Sequence, residues 1–344
     1  MRRTLIAAVA GVGGLAVAGA LWWLDSYRWA GGFRTVTPHF AGVCQVVEGV
    51  PGPEDLTIDA TTGIAYISSY DRSAAGRGES VPGAILAYDV DGPAPGLVNL
   101  TPDADAQFRP HGLSLYRDAN GDTRLFVVNH PSGGHSVEIF DITDEGLVHA
   151  RTVRGDALVS PNDLAAVGAA QFYVTNSRRH ASGVLGWVEA TFRMSWGNVL
   201  YFDGRAFSEA IADIGFPNGI DVGHQGEQVY VVSSFDQAVR IYRREANTGA
   251  LTFDRSVVVG TRLDNVNTAD AGDLWVAGRA RYLDPPQPSQ IVRIRLERSE
   301  DPEVEEVYVN LGDELGHASV AAVYGRHLLI GSSRGTRFLD CVMD

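Results

Sequence analysis

Cysteine is nearly missing from this chain of 344 residues, which contains two, Cys44 and Cys341. That excludes a disulfide-rich miniprotein and any zinc or iron–sulfur site built from several thiolates. Positive charge is also short: 28 basic residues face 42 acidic ones, a formal charge of -14. Such a surface repels phosphate backbones, so nucleic-acid partners are excluded. Long 3.6-residue patterns are scarce, which argues against stacked helical repeats. Glycine (39), proline (15) and apolar residues (45%) are plentiful. They suit a large core of short strands joined by tight turns, and they are incompatible with a disordered chain.

One long hydrophobic run stands out. After Met1-Arg2-Arg3 an uncharged stretch runs from Thr4 to Leu24 and ends Leu21-Trp22-Trp23-Leu24. Its length, flanking charge and terminal tryptophans predict a signal anchor or membrane-spanning helix over residues 1–30, with the positive end inside. A signal peptide cleaved near Ala16-Val17-Ala18 is the alternative. Either way residues 31–344 are expected as one domain outside the cytoplasm, periplasmic or extracellular, anchored or secreted. In an oxidising compartment Cys44 and Cys341, at opposite ends of that domain, are candidates for a bond closing nearly the whole chain. Such a bond is worth ~5 kcal/mol in the chain-entropy view. Two unrelated buried thiols are the other reading.

The middle of the chain repeats. Apolar strands recur around Tyr66, Phe126, Tyr173, Tyr230, Trp275 and Leu329, at steps of 60, 47, 57, 45 and 54 residues. Aromatic, β-branched strands at a period near ~50 predict an all-β fold, a six-bladed β-propeller. A polar word precedes each strand: Pro53-Glu54-Asp55, Pro110-His111-Gly112, Pro161-Asn162-Asp163, Pro217-Asn218-Gly219, Asp264-Asn265 and His317-Ala318-Ser319. The distances from Glu54, His111, Asn162, Asn218, Asp264 and His317 to their strand markers are 12, 15, 11, 12, 11 and 12 residues. Asn120-Gly121, a favoured hairpin turn, accounts for the long one. Equal phase means equivalent places in equivalent blades, so these residues are expected to converge on the central channel. Two carboxylates with several amide oxygens make a hard-oxygen cage of the kind that suits calcium. The plain alternative is a polar ring bonded to itself and to channel water.

These same words resemble the paraoxonase/arylesterase family of calcium-dependent six-bladed propellers, from about Phe40 to Cys341. Further matching words are Ile67-Ser68-Ser69, Val127-Val128-Asn129-His130-Pro131, Thr175-Asn176, Gly272-Asp273-Leu274-Trp275-Val276 and Leu329-Ile330-Gly331. The resemblance implies two calcium ions. Glu54, Asn162, Asn218, Asp264 and Asn265 would hold a catalytic one; Asp55, Asp163 and the backbone carbonyl of Leu113 would hold a structural one. It also implies a catalytic His111–His130 pair, a Cys44–Cys341 bridge and an uncleaved apolar N-terminal helix. The expected activity is hydrolysis of carboxylic esters and lactones, with the metal polarising the carbonyl and the histidines activating water. Organophosphate hydrolysis is expected as a side activity. The substrate is expected to be a small apolar ester or lactone. A sugar-lactone hydrolase, a strictosidine-synthase-like propeller and a non-catalytic membrane-anchored binding propeller are the alternatives.

Arg178 and Arg279 stand where animal members of that family tend to carry histidines, and both are expected at the pocket rim rather than at the metal. The segment 184–196, rich in bulky apolar residues, is expected as a helix, either packed on the propeller or forming a flap over the channel mouth that binds apolar substrate or touches a bilayer. Two competing motifs carry little weight. Gly331-Ser332-Ser333-Arg334-Gly335 matches a nucleophile elbow, but a strand follows where a helix is required. Asp118-Ala119-Asn120-Gly121-Asp122 begins like a calcium-binding loop but lacks its closing glutamate and flanking helices.

Overall fold

The computed structural model describes residues 2–92, 96–269, 271–283, 287–296 and 302–344, with the side chains of 2–12 left out. Six antiparallel sheets form the six blades expected. Their innermost strands are Pro53–Asp59, Pro110–Arg117, Pro161–Gly168, Pro217–Val222, Arg262–Thr268 and Ala318–Tyr324, which define blades 1 to 6 in that order. The six recurring apolar segments are the second strands, each paired to its blade's inner strand. Asp118–Asp122 is a hairpin turn, with the Asp118 carboxylate accepting from the N–H groups of Asn120 and Asp122.

The second strands read as continuous apolar runs because both their faces are buried. Among the described residues six apolar clusters fill the six gaps between neighbouring blades. Alternate residues of one strand serve opposite gaps. Phe126 and Val128 pack toward blade 3, whereas Leu125 and Val127 pack toward blade 1. Trp275 and Ala277 face blade 6, whereas Leu274 and Val276 face blade 4.

The ring is closed by a strand from the beginning of the chain. Gly42–Glu48 forms the outer edge of blade 6 beside Arg337–Met343, and Cys44 stands directly opposite Cys341 in that ladder. The two are joined by a disulfide, as the family resemblance implied. A further short strand, His39–Phe40, extends blade 5. Leading into these, helix α1 spans Arg2–Trp29. Its end is pinned to blade 4: Trp29 Nε1 donates to the Phe235 carbonyl at 2.9 Å, and Gln237 Nε2 donates to the Trp29 carbonyl at 2.7 Å. Among the described residues no helix is long and apolar enough to cross a membrane, and part of the run expected to do so, residues 4–12, lies outside the side chains described.

Helix α2 is the single turn Arg72–Gly76, and α3 forms at Gly183–Thr191 within the segment expected to be helical. Val184, Leu185 and Trp187 of α3 are exposed, and Phe192 just beyond it meets Trp22 of α1 at 6.3 Å between ring centres.

Because the disulfide ties the closing strand to the last blade, replacing Cys44 and Cys341 together by serine is expected to cost about 2–4 kcal/mol. The measurement is the guanidinium midpoint, and dithiothreitol should lower that of the parent protein to a similar extent.

Candidate functional site

Every inner strand loses register with its neighbour at the same place. The ladder skips from Pro53 to Asp55, Pro110 to Leu113, Pro161 to Leu164, Pro217 to Ile220, Leu263 to Val266 and Ala318 to Val320. The residues left unpaired are Glu54; His111 and Gly112; Asn162 and Asp163; Asn218 and Gly219; Asp264 and Asn265; and Ser319. A break of this kind re-aims side chains that the pleat would otherwise alternate. The polar words of the sequence are therefore the bulges of the inner strands. In blade 6 the residue in that place is Ser319, not His317; the Ser319 hydroxyl donates to the Glu54 carbonyl at 2.6 Å.

Two glycines allow the hub to close. A Cβ on Gly112 would stand 2.5 Å from the Asp163 Cα, and one on Gly219 would stand 2.5 Å from the Asn265 Cα. The backbones of adjacent blades thus touch at the axis, and no side chain larger than hydrogen fits between them. Phe216 and His317 flank the same region in left-handed backbone, with φ of 54° and 60°. Such non-glycine conformations are costly and gather at functional sites.

The expected cage comes together at the start of the inner strands. Glu54, Asn162, Asn218 and Asp264 line one cavity of about 560 Å³ with His111. Asn265 lies beneath it and donates to Glu54 Oε1 at 3.3 Å. Asn218 Nδ2 donates to Asp264 Oδ1 at 2.5 Å. Three buried oxygens of this set are short of donors: Asn218 Oδ1 and Asn265 Oδ1 have no hydrogen-bond partner, and Glu54 Oε2 has only the His111 ring nitrogen at 3.2 Å. A buried acceptor short of donors is costly, and three converging ones, with the Asp264 carboxylate, are the donor chemistry of a hard cation. The set thus fits calcium. Among the described residues no group of three or more His, Cys, Asp or Glu side chains is poised to hold a metal. The cage is rich in amides, having only Glu54 and Asp264 as carboxylates.

A chain of imidazoles leads away from the cage. His111 Nε2 is 3.2 Å from Glu54 Oε2, and His111 Nδ1 is 2.8 Å from His130 Nε2. His130 Nδ1 is in turn 2.8 Å from His135 Nδ1. Burial, with His111 and His135 adding repulsion, holds His130 well below the usual histidine range, so it is neutral at pH 7. Burial also lowers His135. The pair was legible in the sequence, but His135 was not singled out: it sits on the turn after His130, with no strand phase to mark it.

Asp55, Asp163 and Leu113 line a second cavity, of about 440 Å³, toward the other end of the channel. Here each carboxylate clasps two backbone N–H groups. Asp55 accepts from Leu56 at 2.9 Å and from Leu113 in the next blade at 2.6 Å. Asp163 accepts from Leu164 and from Ile220 of the next blade, both at 2.8 Å. Asp221 repeats the pattern with Val222 and Thr268. These clasps join neighbouring blades, and sequence reading missed Asp221. Despite them, burial pushes Asp55 and Asp163 well above the usual carboxylate range, and repulsion from Glu54 and Asp55 respectively adds to it.

The expected rim position holds for Arg178, whose guanidinium lies 5.6 Å over the Phe216 ring, but not for Arg279. Arg279 Nη2 reaches Asp264 Oδ2 at 2.9 Å, so it sits against the cage itself. Asp264, raised by burial, is held back by this neighbour. Ser333, the central serine of Gly331-Ser332-Ser333-Arg334-Gly335, lies on the cavity wall just after strand His327–Ser332, and its Oγ accepts from Arg279 Nη2 at 3.1 Å; the next element is the strand Arg337–Met343 where an elbow requires a helix, so it is not a nucleophile elbow.

The arylesterase family model matches residues 35–342. Mouse serum paraoxonase/arylesterase 1 is 34% identical over 324 residues, covering 87% of this chain and 89% of that protein. Its human counterpart is 32% identical over 317 residues, covering 87% and 88%. Among solved structures, a putative gluconolactonase superposes with a TM-score of 0.56 at 17% identity, covering 91% of this chain and 95% of its own. A calcium-binding protein, regucalcin from Agrobacterium tumefaciens, gives 0.55 at 14% identity, covering 90% and 98%. At such identities these two structures share the fold alone.

Asp55, Asp163 and Asp264 bind protons more readily than ordinary carboxylates, so protons compete with a cation for the hub. Calcium affinity is therefore expected to weaken between a neutral and a moderately acidic pH. Titration calorimetry on chelator-stripped protein measures this, and Glu54→Gln should weaken binding at both pH values by about tenfold or more.

Proposed function

Because the chain belongs to the paraoxonase/arylesterase family, we propose that it is a calcium-dependent hydrolase of carboxylic esters and lactones. The observation that carries this reading is the set of oxygens short of donors on Glu54, Asn218 and Asn265, placed beside an unbroken relay of histidines. Glu54, Asn162, Asn218, Asp264 and Asn265 are the residues that would hold the catalytic ion. Bound there, calcium supplies a Lewis acid for the carbonyl oxygen and for the charge that develops on it.

The chain's own residues manage the proton. With Nε2 free, His111 takes a proton from water at the cage and gives up the one on Nδ1 to His130 Nε2. His130 passes its Nδ1 proton to His135 Nδ1. The 2.8 Å contacts at both junctions support this order, and the depressed basicity of His130 keeps it from trapping the charge. No serine nucleophile is required.

A second ion, held by Asp55, Asp163 and the Leu113 carbonyl, is supported by the mutual repulsion of the two carboxylates. It would draw together blades that the backbone clasps already link. The disulfide supports an oxidising compartment outside the cytoplasm. The exposed Trp22, Trp23, Leu185 and Trp187 support contact of that face with an apolar surface.

Phenyl acetate and a long-chain lactone are the test substrates. Both are expected to be hydrolysed, with activity lost on chelation and restored by calcium. His111→Gln should lower kcat by about 10²–10⁴ while calcium binding persists. Hydrolysis indifferent to chelator, or surviving loss of both Glu54 and His111, overturns the reading.

A further inference from the structure

The wall of the catalytic cavity carries charge that neither the cage nor the histidine relay uses. Arg72, Arg262, Arg279 and Arg334 line it, against two carboxylates, Glu54 and Asp264. This surplus stands in a chain with a net charge of -14. The chain contains no lysine, so arginine itself is no signal here; its placement is.

Elsewhere several arginines are paired with carboxylates, while others, such as Arg109, Arg151 and Arg244, reach backbone carbonyls. Arg117 meets Asp59 at 2.5 Å, Arg124 meets Asp141 at 2.7 Å, and Arg240 meets Asp236 at 2.6 Å. At the cavity only Arg279 has such a partner, Asp264. Among the described residues Arg72, Arg262 and Arg334 form no ion pair with a carboxylate. The Arg72 guanidinium donates to the carbonyls of Gly52 and Tyr70 at 3.4 and 3.5 Å and lies 5.8 Å from the Tyr70 ring.

Arg262 lies 3.8 Å over the Tyr282 ring and 5.6 Å over Phe216, and Arg178 lies 5.6 Å over Phe216. Stacking fixes a guanidinium plane, and the Tyr282 hydroxyl adds a hydrogen bond that holds Arg262 in place. Arg72 and Arg262 lend countercharge to Glu54 and Asp264 respectively, a role that a divalent cation seated there would take over. A divalent cation seated on Glu54 and Asp264 would balance those two carboxylates and leave all four guanidinium charges over.

We propose that the preferred substrate is an ester or lactone bearing a second, anionic group, a carboxylate, which Arg262 receives together with Arg72 and Arg334. This rests on the hydrolase reading above and names the substrate class of that same site. It departs from the apolar substrate expected from the sequence; the exposed apolar side chains of α3 are not among the residues of the cavity wall. A guanidinium offers two parallel N–H groups to a carboxylate, and such charge-assisted pairs outweigh neutral ones.

The test uses the calcium-loaded full chain and two esters with one leaving group, phenyl acetate and monophenyl succinate. Monophenyl succinate is expected to give the higher kcat/KM, by about tenfold or more at low ionic strength, with the advantage shrinking as salt rises. Arg262→Met and, separately, the exposed Arg334→Gln should each lower the ratio of the two kcat/KM values. A binding readout accompanies the kinetics: calorimetry with succinate on chelator-treated protein, where the parent binds and Arg262→Met binds more weakly. Equal or greater efficiency on phenyl acetate, a ratio insensitive to salt and to both substitutions, or no succinate binding overturns the proposal. If neither ester is hydrolysed in a calcium-dependent way, the hydrolase reading falls, and succinate binding still decides whether the arginines receive a carboxylate. Near-UV circular dichroism of each variant separates a lost contact from a lost fold.

Discussion

Negative charge brought together at a dry axis is the constraint on which this molecule turns. Six blades aim their inner strands at one channel, and Glu54, Asp55 and Asp163 end up buried along it, with Asp221 and Asp264 half-buried beside them. Unpaired carboxylates in such a place would be expensive. Two different solutions are used along the channel. Deeper in, Asp55, Asp163 and Asp221 each clasp a backbone N–H of their own strand and one of the next blade. At the mouth, His111, Arg279 and the amides of Asn218 and Asn265 surround Glu54 and Asp264, yet three oxygens remain short of donors. That residue of unmet need is what a divalent cation would satisfy, which would give the stability of the hub and the reactivity of the site one origin.

The register breaks are the local means to that end. A regular pleat would send consecutive residues to opposite faces, into the apolar gaps between blades. By skipping one or two residues at the start of each inner strand, the chain frees a polar pair to face the axis while Leu56, Leu113, Leu164, Ile220 and Val266 resume packing. Glycine at 112 and 219 lets adjacent blades meet backbone to backbone there. The same six gaps that hold the blades together thereby set the distances between ligands on different blades.

Much of this was legible before any coordinates. Apolar second strands buried on both faces leave a periodic mark, and the polar words ahead of them leave another, because each blade solves the same packing problem. The number of blades, the converging Glu54, His111, Asn162, Asn218, Asp264 and Asn265, and the two cysteines at opposite ends of the domain all follow from such marks. Phase was misleading in blade 6, where His317 mimics the spacing but Ser319 occupies the place. His135 and Asp221 escaped notice because one lies on a turn and the other two residues beyond a word already assigned.

By itself, then, the sequence determined the repeat, the closure partners and the residue types offered to the axis, since these depend on local periodicity and on chemistry that each residue carries with it. Only the tertiary structure decided which side chains share a cavity. Arg72, Arg262, Arg279 and Arg334 come from three different blades, and Tyr282 and Phe216 from two, so no spacing along the chain relates them. Their meeting depends on how far each loop reaches over the mouth, a matter of three-dimensional distance that leaves no period in the residues.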